Sequence, residues 1–305
     1  MSKILRELIK PYSCKTLDDE IHALQEIIQE IVLLGLWRAK FYEKAAFYGG
    51  TALRILYGLK RFSEDVDFTL LASNKDFKIT PYENAILKEL EAFGFEAEID
   101  RKPKEGQVET AFIKANTLIH LMKIESPFLA HKHQLIKVKI EIDKDPPLNF
   151  EVEVKQHFKP IPFSIKTVAL PDLFAGKLHA CLCRSERLNI KGRDWFDFLW
   201  YISNNIPVHL QHLQSRMQQS GHWEQKGELQ IDGLKSLLRT KVKALDIKSA
   251  REDVAPFIEN PTDLEAWSTD LFLAAIEKIH ARKNILDLKG KVKIDLDLNK
   301  TRNTD

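Results

Sequence analysis

The pattern of apolar and polar positions divides the chain into a half of mixed periodicity and a half of helical periodicity. Ile21, Leu24, Ile28 and Ile31 recur at a helical period. Thr16 caps that run, and Asp18, Asp19 and Glu20 supply the acidic first turn that suits a helix dipole. One long helix is therefore expected over 16–44. A strand over 45–48 runs into Gly49-Gly50, followed by a helix over 51–58, a strand over 65–71 and a helix over 81–93 that stops near Gly94. Strands are expected over 111–113, 118–124 and 136–142. Alternation is clean over 150–154, with Phe150, Val152 and Val154 on one face and Glu151, Glu153 and Lys155 on the other. The turn-rich stretch from Asp143 to Asn149 makes a hairpin between the last two strands the expectation.

Pro160 and Pro162 end this regime, and helical periods follow over 171–188, 194–204, 231–245 and 263–281. The last has capping-box spacing, Thr262 with Glu265. Beyond about Lys291 the chain is polar and is expected to fray. The expected architecture is α/β (α+β), with an α/β domain over 1–162 led by a long helix and a helical domain over 163–305.

Composition narrows the classes. A chain of 305 residues has room for about two domains and a substantial core. A hydrophobic share of 44% with 46 basic against 44 acidic residues excludes a disordered chain, and the net charge of +2 gives no global signature of nucleic-acid binding. The longest apolar run, 31–37, falls far short of the roughly 18 residues of a membrane span. The charged first residues lack the apolar core of a secretory leader. Three cysteines, Cys14, Cys181 and Cys183, show no disulfide framework, so a reduced, cytoplasmic protein without membrane contact is expected. His179, Cys181 and Cys183 lack a second ligand pair at zinc spacing and read as packing residues. His209, His212 and His222 read as loop or surface histidines.

Chemistry concentrates between Phe47 and Phe68. A strand enters two glycines and a helix begins at once, so backbone N–H groups and the Thr51 hydroxyl are available to an anion. Asp65 and Asp67 follow at i, i+2, which places both carboxylates on one strand face. Like charges so placed repel unless a cation sits between them, and oxygen ligands of this kind suit Mg²⁺. No Gly-x-x-x-x-Gly-Lys-Ser/Thr occurs, which excludes a P-loop. Glu141 and Asp143 share one face of a later strand and offer a third carboxylate.

The run Gly49-Gly50-Thr51-Ala52-Leu53-Arg54, with Arg61-Phe62-Ser63-Glu64-Asp65-Val66-Asp67-Phe68, resembles the first motif of the AbiEii/AbiGii toxin family within the DNA polymerase β-like nucleotidyltransferases. That resemblance implies a mixed-sheet nucleotidyltransferase domain followed by a helical domain that completes the active site. It assigns Gly49, Gly50, Thr51, Arg61 and Ser63 to the nucleotide and Asp65 and Asp67 to metal. The family's Lys-x-Glu/Asp strand favours Glu141 as the third metal carboxylate, with Asp143, at the turn, as the alternative. A second block, Lys177-Leu178-His179-Ala180 and then Arg193-Asp194-Trp195-Phe196-Asp197-Phe198, resembles the later motifs. By that resemblance Lys177 meets the triphosphate, Lys191 and Arg193 meet phosphates, and Asp194 and Asp197 join the catalytic set. Asp253-Val254-Ala255-Pro256-Phe257 resembles the family's closing segment more weakly.

The function implied is an Mg²⁺-dependent, pyrophosphate-releasing transfer from an NTP either to an RNA, tRNA ends among them, or to a protein, by the toxin of a type IV toxin–antitoxin or phage abortive-infection pair. The cognate antitoxin is expected to be encoded nearby. Two competing expectations use the same residues: a non-catalytic nucleotide-sensing or RNA-binding module, and transfer of the γ-phosphate instead.

Overall fold

The computed structural model describes residues 2–101, 107–116, 135–184 and 191–282. Helix α1 (Ser2–Ile9) leads into α2 (Leu17–Arg38). The start of α2 is fixed by a reciprocal cap, in which the Thr16 hydroxyl accepts from the Asp19 N–H and the Asp19 carboxylate accepts from the Thr16 N–H. Every residue from Glu26 to Leu36 is buried, so α2 runs through the core rather than over it.

Strands β1 (Ala45–Tyr48), β2 (Asp65–Leu70), β3 (Ala97–Arg101), β4 (Val108–Asn116), β5 (Leu135–Asp143), β6 (Val152–His157) and β7 (Phe163–Val168) form one mixed sheet in the order β3-β4-β5-β2-β1-β7-β6. The β2–β5 and β1–β7 pairs are parallel and the others antiparallel. Helix α3 (Gly49–Tyr57) links β1 to β2, and α4 (Thr80–Ala92) packs on α2. Helices α5 (Leu170–Cys183), α6 (Gly192–Ser203), α7 (Leu210–Gln219), α8 (Ile231–Ala244), α9 (Ile247–Val254) and α10 (Thr269–Glu277) form the helical half.

Alternation divides the sheet into two faces. Phe47, Val66, Phe68, Val138, Ile140, Ile142 and Ile165 point into a core shared with α2 and α4. Ala46 and Val168 point the other way, into a second core built by α5 to α10. The polar partners of the first set, Asp65, Asp67, Glu141 and Asp143, are thereby placed on the helical side of the sheet.

Three expectations are corrected. The β5–β6 hairpin does not form: both edges of β5 are taken by β4 and β2, and β6 pairs with β7 at the far edge of the sheet. The boundary expected at 162 falls inside the sheet, because β7 lies beyond it and pairs with β1. The helix expected over 263–281 is two pieces, a 3-10 turn at Pro261–Leu264 capped by Asn260 and then α10 capped by Ser268. The strand expected over 118–124 lies outside the described residues.

Candidate active site

The parallel register of β2 and β5 builds the site. Asp65 lies opposite Lys139, Asp67 opposite Glu141 and Thr69 opposite Asp143, while Tyr48 of β1 flanks Asp67 on its other side. Glu141 is thus the immediate neighbour of Asp67, and Asp143 is one step further along the strand. A cavity of about 420 Å³ opens over this floor, bordered by Asp65, Asp67 and Glu141 but not by Asp143. Tyr48, Gly49 and Gly50 border it from the β1–α3 junction, and Lys177, Arg184 and Asp194 from α5 and α6.

The junction requires glycine. Gly49 has φ +84°, in the left-handed region, and a Cβ there would stand 2.4 Å from the Asp67 Oδ2. The chain therefore passes directly against the carboxylate. The Thr51 hydroxyl donates to the Asp65 carbonyl and its side chain is fully buried, which ties the start of α3 to the start of β2.

The carboxylates strain against one another. Burial first, then the charges of Asp65 and Glu141, push Asp67 up to about 7 against the pull of Lys177 and Lys139. Asp65 is raised by burial, opposed by Lys139 and reinforced by Glu141. The Lys139 ammonium sits 2.5 Å from Glu141 and is the cation within the sheet that offsets this charge. Burial works against the charge of Lys139, yet Glu141 outweighs it and holds the ammonium above its ordinary range.

A second, fully paired ionic group lies behind the helical wall. Arg61 grips Asp197 through two parallel bonds of 2.6 and 2.7 Å, with Asp197 completely buried and Arg61 almost so. Lys177 is 2.7 Å from both Asp194 and Asp197, and Arg184 is 2.5 Å from Asp194. Burial opposes both charges, but Asp194 and Asp197 hold the Lys177 ammonium above its ordinary range, while Lys177 and Arg184 hold Asp194 below its own. Helix α6, which carries both aspartates, packs closely on α9 at Gly192, where a Cβ would lie 1.7 Å from the Ala250 carbonyl oxygen.

Of the residues singled out in the sequence, the cavity gathers Gly49, Gly50, Asp65, Asp67, Glu141, Lys177 and Asp194. Six others do not border it. Thr51 and Arg61 are spent as described, and Asp197 is locked between Arg61 and Lys177. The Ser63 carbonyl accepts from Gln29, and Lys191 precedes the first turn of α6. Arg193 pairs with Glu64 at 2.8 Å and lies over the Phe257 ring at 4.2 Å. The cavity adds Tyr48, Arg216, Ser220 and His222, which the sequence reading did not assign to it. Only Tyr48 carried a signal, as the residue one strand period beyond Ala46 and next to the glycines.

Paired aspartates on one strand, a third carboxylate on its parallel neighbour and a glycine-led helix start thus lie together around one cavity, in a chain of the nucleotidyl transferase class. The chain belongs to the AbiEii family: the family model described as nucleotidyl transferase AbiEii toxin, type IV TA system, matches residues 31–275. Among solved structures, JHP933 from Helicobacter pylori is similar at 18% identity, covering 92% of this chain and 97% of that one, with a TM-score of 0.48. MenT4, a nucleotidyltransferase toxin from Mycobacterium tuberculosis H37Rv, is similar at 15% identity, covering 90% of each chain, with a TM-score of 0.49. No curated protein matches the sequence. Among the described residues, no helix is long and apolar enough to cross a membrane.

Proposed function

We propose that this toxin-family protein is an Mg²⁺-dependent nucleotidyltransferase that moves a nucleotide from an NTP to a hydroxyl of an RNA acceptor and releases pyrophosphate. One observation carries the reading: Asp65, Asp67 and Glu141 converge from adjacent parallel strands on the floor of a cavity whose edge is the Gly49-Gly50 helix start.

The donor set fits the metal. Three carboxylates on one face are hard oxygen ligands, and burial, with the charge of Glu141 added, raises Asp65 and Asp67 despite Lys139. Among the described residues no His, Cys, Asp and Glu side chains form a closed metal-binding group, and Glu141 bonds Lys139, a partner it would share with or yield to the ion. Asp65, Asp67 and Glu141 would hold Mg²⁺. Bound there, the ion supplies charge stabilisation at the α-phosphate and a more acidic acceptor hydroxyl.

The protein's own groups do the rest. Backbone amides at Gly49 and Gly50 receive phosphate oxygens. The acceptor oxygen forms a bond to the α-phosphorus as the bond to the pyrophosphate oxygen breaks, and the electron pair leaves with pyrophosphate. Glu141 is our choice for the group that takes the hydroxyl proton. Asp194 is held in its weakly basic form by Lys177 and Arg184, and Asp197 is sealed by Arg61. Lys177 contributes its charge from a position fixed by both aspartates. The cytoplasm, a tRNA acceptor and a nearby-encoded antitoxin complete the reading, on the strength of family membership.

The test incubates the protein with Mg²⁺, total RNA and each α-labelled NTP, beside the Asp65→Ala/Asp67→Ala variant. Label in RNA that requires both aspartates supports the proposal, and its size class identifies the acceptor. Label retained on the protein, or transferred only from the γ-position, refutes it. Metal-dependent NTP binding with no transfer to any RNA refutes it in favour of a sensor.

A further inference from the structure

We propose that Arg216 binds the polyphosphate of the NTP, gripping the phosphates beyond the one that reacts. The proposal rests on the nucleotidyltransferase reading. Among the described residues bordering the cavity, the permanent cations are Lys177, Arg184 and Arg216. Lys177 is shared between Asp194 and Asp197, and Arg184 is held by Asp194. Arg216 has no ion pair among the described residues, and its buried Nε has no hydrogen-bond partner. Arg216 is half-buried, and the charge of Asp143 acts on it without an ion pair forming between them, so its guanidinium keeps donors free for an anion that arrives with the ligand.

Position agrees with this. Tyr48 and Arg216 border the same cavity as Asp67 and Glu141, and the two also line a smaller adjoining pocket together. A nucleotide whose α-phosphate is at Asp67 extends its remaining phosphates past Tyr48 toward Arg216. The other basic groups on that side do not compete. Burial, together with Arg216 and neighbouring histidines, pushes His179 down to about 4 and His212 down to about 3, so both are neutral at physiological pH. Helix α7 is also clamped before any ligand binds: Asn149 bonds both Ser215 and His212 at 3.0 Å, and Gln219 donates to the Asp145 carbonyl at 2.5 Å. A preorganised guanidinium fork matches phosphate oxygens two at a time, which lysine cannot do.

The experiment measures equilibrium binding of each of the four NTPs, and of the matching nucleoside monophosphate by competition, in Mg²⁺ without acceptor. Wild type, Arg216→Gln and Arg216→Lys are compared, with thermal melts to establish folding. Arg216→Gln is expected to weaken the preferred NTP by about 10- to 100-fold and the monophosphate by less than about 3-fold. Arg216→Lys, which restores charge without the fork, is expected to fall between. NTP affinity in Arg216→Gln within about 2-fold of wild type overturns the proposal, as does an equal loss for triphosphate and monophosphate. Folded wild type that binds no NTP would overturn the nucleotidyltransferase reading itself, an outcome distinct from either of these.

Discussion

Asp67 should make the metal-free protein less stable than a variant that lacks its charge. Its carboxyl is raised from the ordinary 3.8 to about 7, by burial and by the charges of Asp65 and Glu141. Below pH 3.8 the group is protonated whether the chain is folded or not, and it contributes nothing to the balance. As pH rises toward 7 the unfolded chain ionises while the folded one holds its proton, so stability falls; above 7 the loss is complete. A shift of about 3 units at about 1.4 kcal/mol each puts that loss near 4 kcal/mol. Asp67→Asn keeps the shape of the protonated acid and removes the loss. In EDTA at pH 8 it should therefore gain up to about 4 kcal/mol, and at pH 5 only about 1.5 kcal/mol. At about 2.1 cal/mol/K per residue, the unfolding entropy of this chain is roughly 0.6 kcal/mol/K, so the gain at pH 8 reads as a Tm rise of up to about 6 °C. Mg²⁺ should raise the Tm of wild type more than that of Asp67→Asn, because the ion relieves the repulsion that asparagine has already removed. The assay is a set of thermal melts at the two pH values, with and without Mg²⁺. A Tm for Asp67→Asn at or below wild type at pH 8 in EDTA, or a gain no larger at pH 8 than at pH 5, would refute the electrostatic account of the site.

Five other substitutions separate roles that the sequence leaves together. Glu141→Gln should lower transfer by at least about 100-fold, and Asp143→Asn by less than about 3-fold, because Asp143 lies beside Thr69 and outside the cavity; steady-state rates at saturating NTP give the comparison. Asp197→Asn should cost about 3–5 kcal/mol of stability by leaving Arg61 buried without its counter-charge, whereas Asp65→Ala should cost none, so urea melts of the two variants should shift in opposite directions or differ by that amount. Gly192→Ala should drive α6 and α9 apart, since its methyl would overlap the Ala250 carbonyl; a fall in Tm together with lost transfer is the expected pair, and unchanged Tm contradicts the packing described.

What could be read from the sequence follows from the range of the interaction. The strand carrying Asp65 and Asp67 was legible because a period of two is local, and the same alternation that sends Val66 and Phe68 into the core forces both acids onto the other face. Family membership was legible for the same reason, since its motifs are short runs. The choice between Glu141 and Asp143 was open because both share a face; the register with β2 is what distinguishes their positions. The hairpin was misplaced because a turn-rich link between two strands says nothing of whether the first strand still has a free edge. Arg61 and Asp197 are 136 residues apart, so no local pattern could pair them. Arg216 lay on α7, where Leu213 and Met217 are the buried apolar positions and the rest of the helix is polar, too faint a stripe to mark a helix.

The site joins two ionic groups of opposite design. On the sheet, burial and the nearness of like charges raise the carboxyls of Asp65 and Asp67, with Lys139 paired to Glu141 beside them. Behind the helices, Arg61, Asp197, Lys177, Asp194 and Arg184 alternate in sign, and each has a partner. Lys177 belongs to both, because it borders the cavity and is fixed from behind. This assigns the acids of the later motif a different task from those of the first. On the function proposed above, Asp65 and Asp67, which border the cavity, act on what enters it, whereas Asp197 does not border it and acts by keeping one ammonium in place. A change at Asp197 should therefore reach the chemistry only through Lys177, as a loss of order at that side chain, while a change at Asp65 should leave Lys177 where it is.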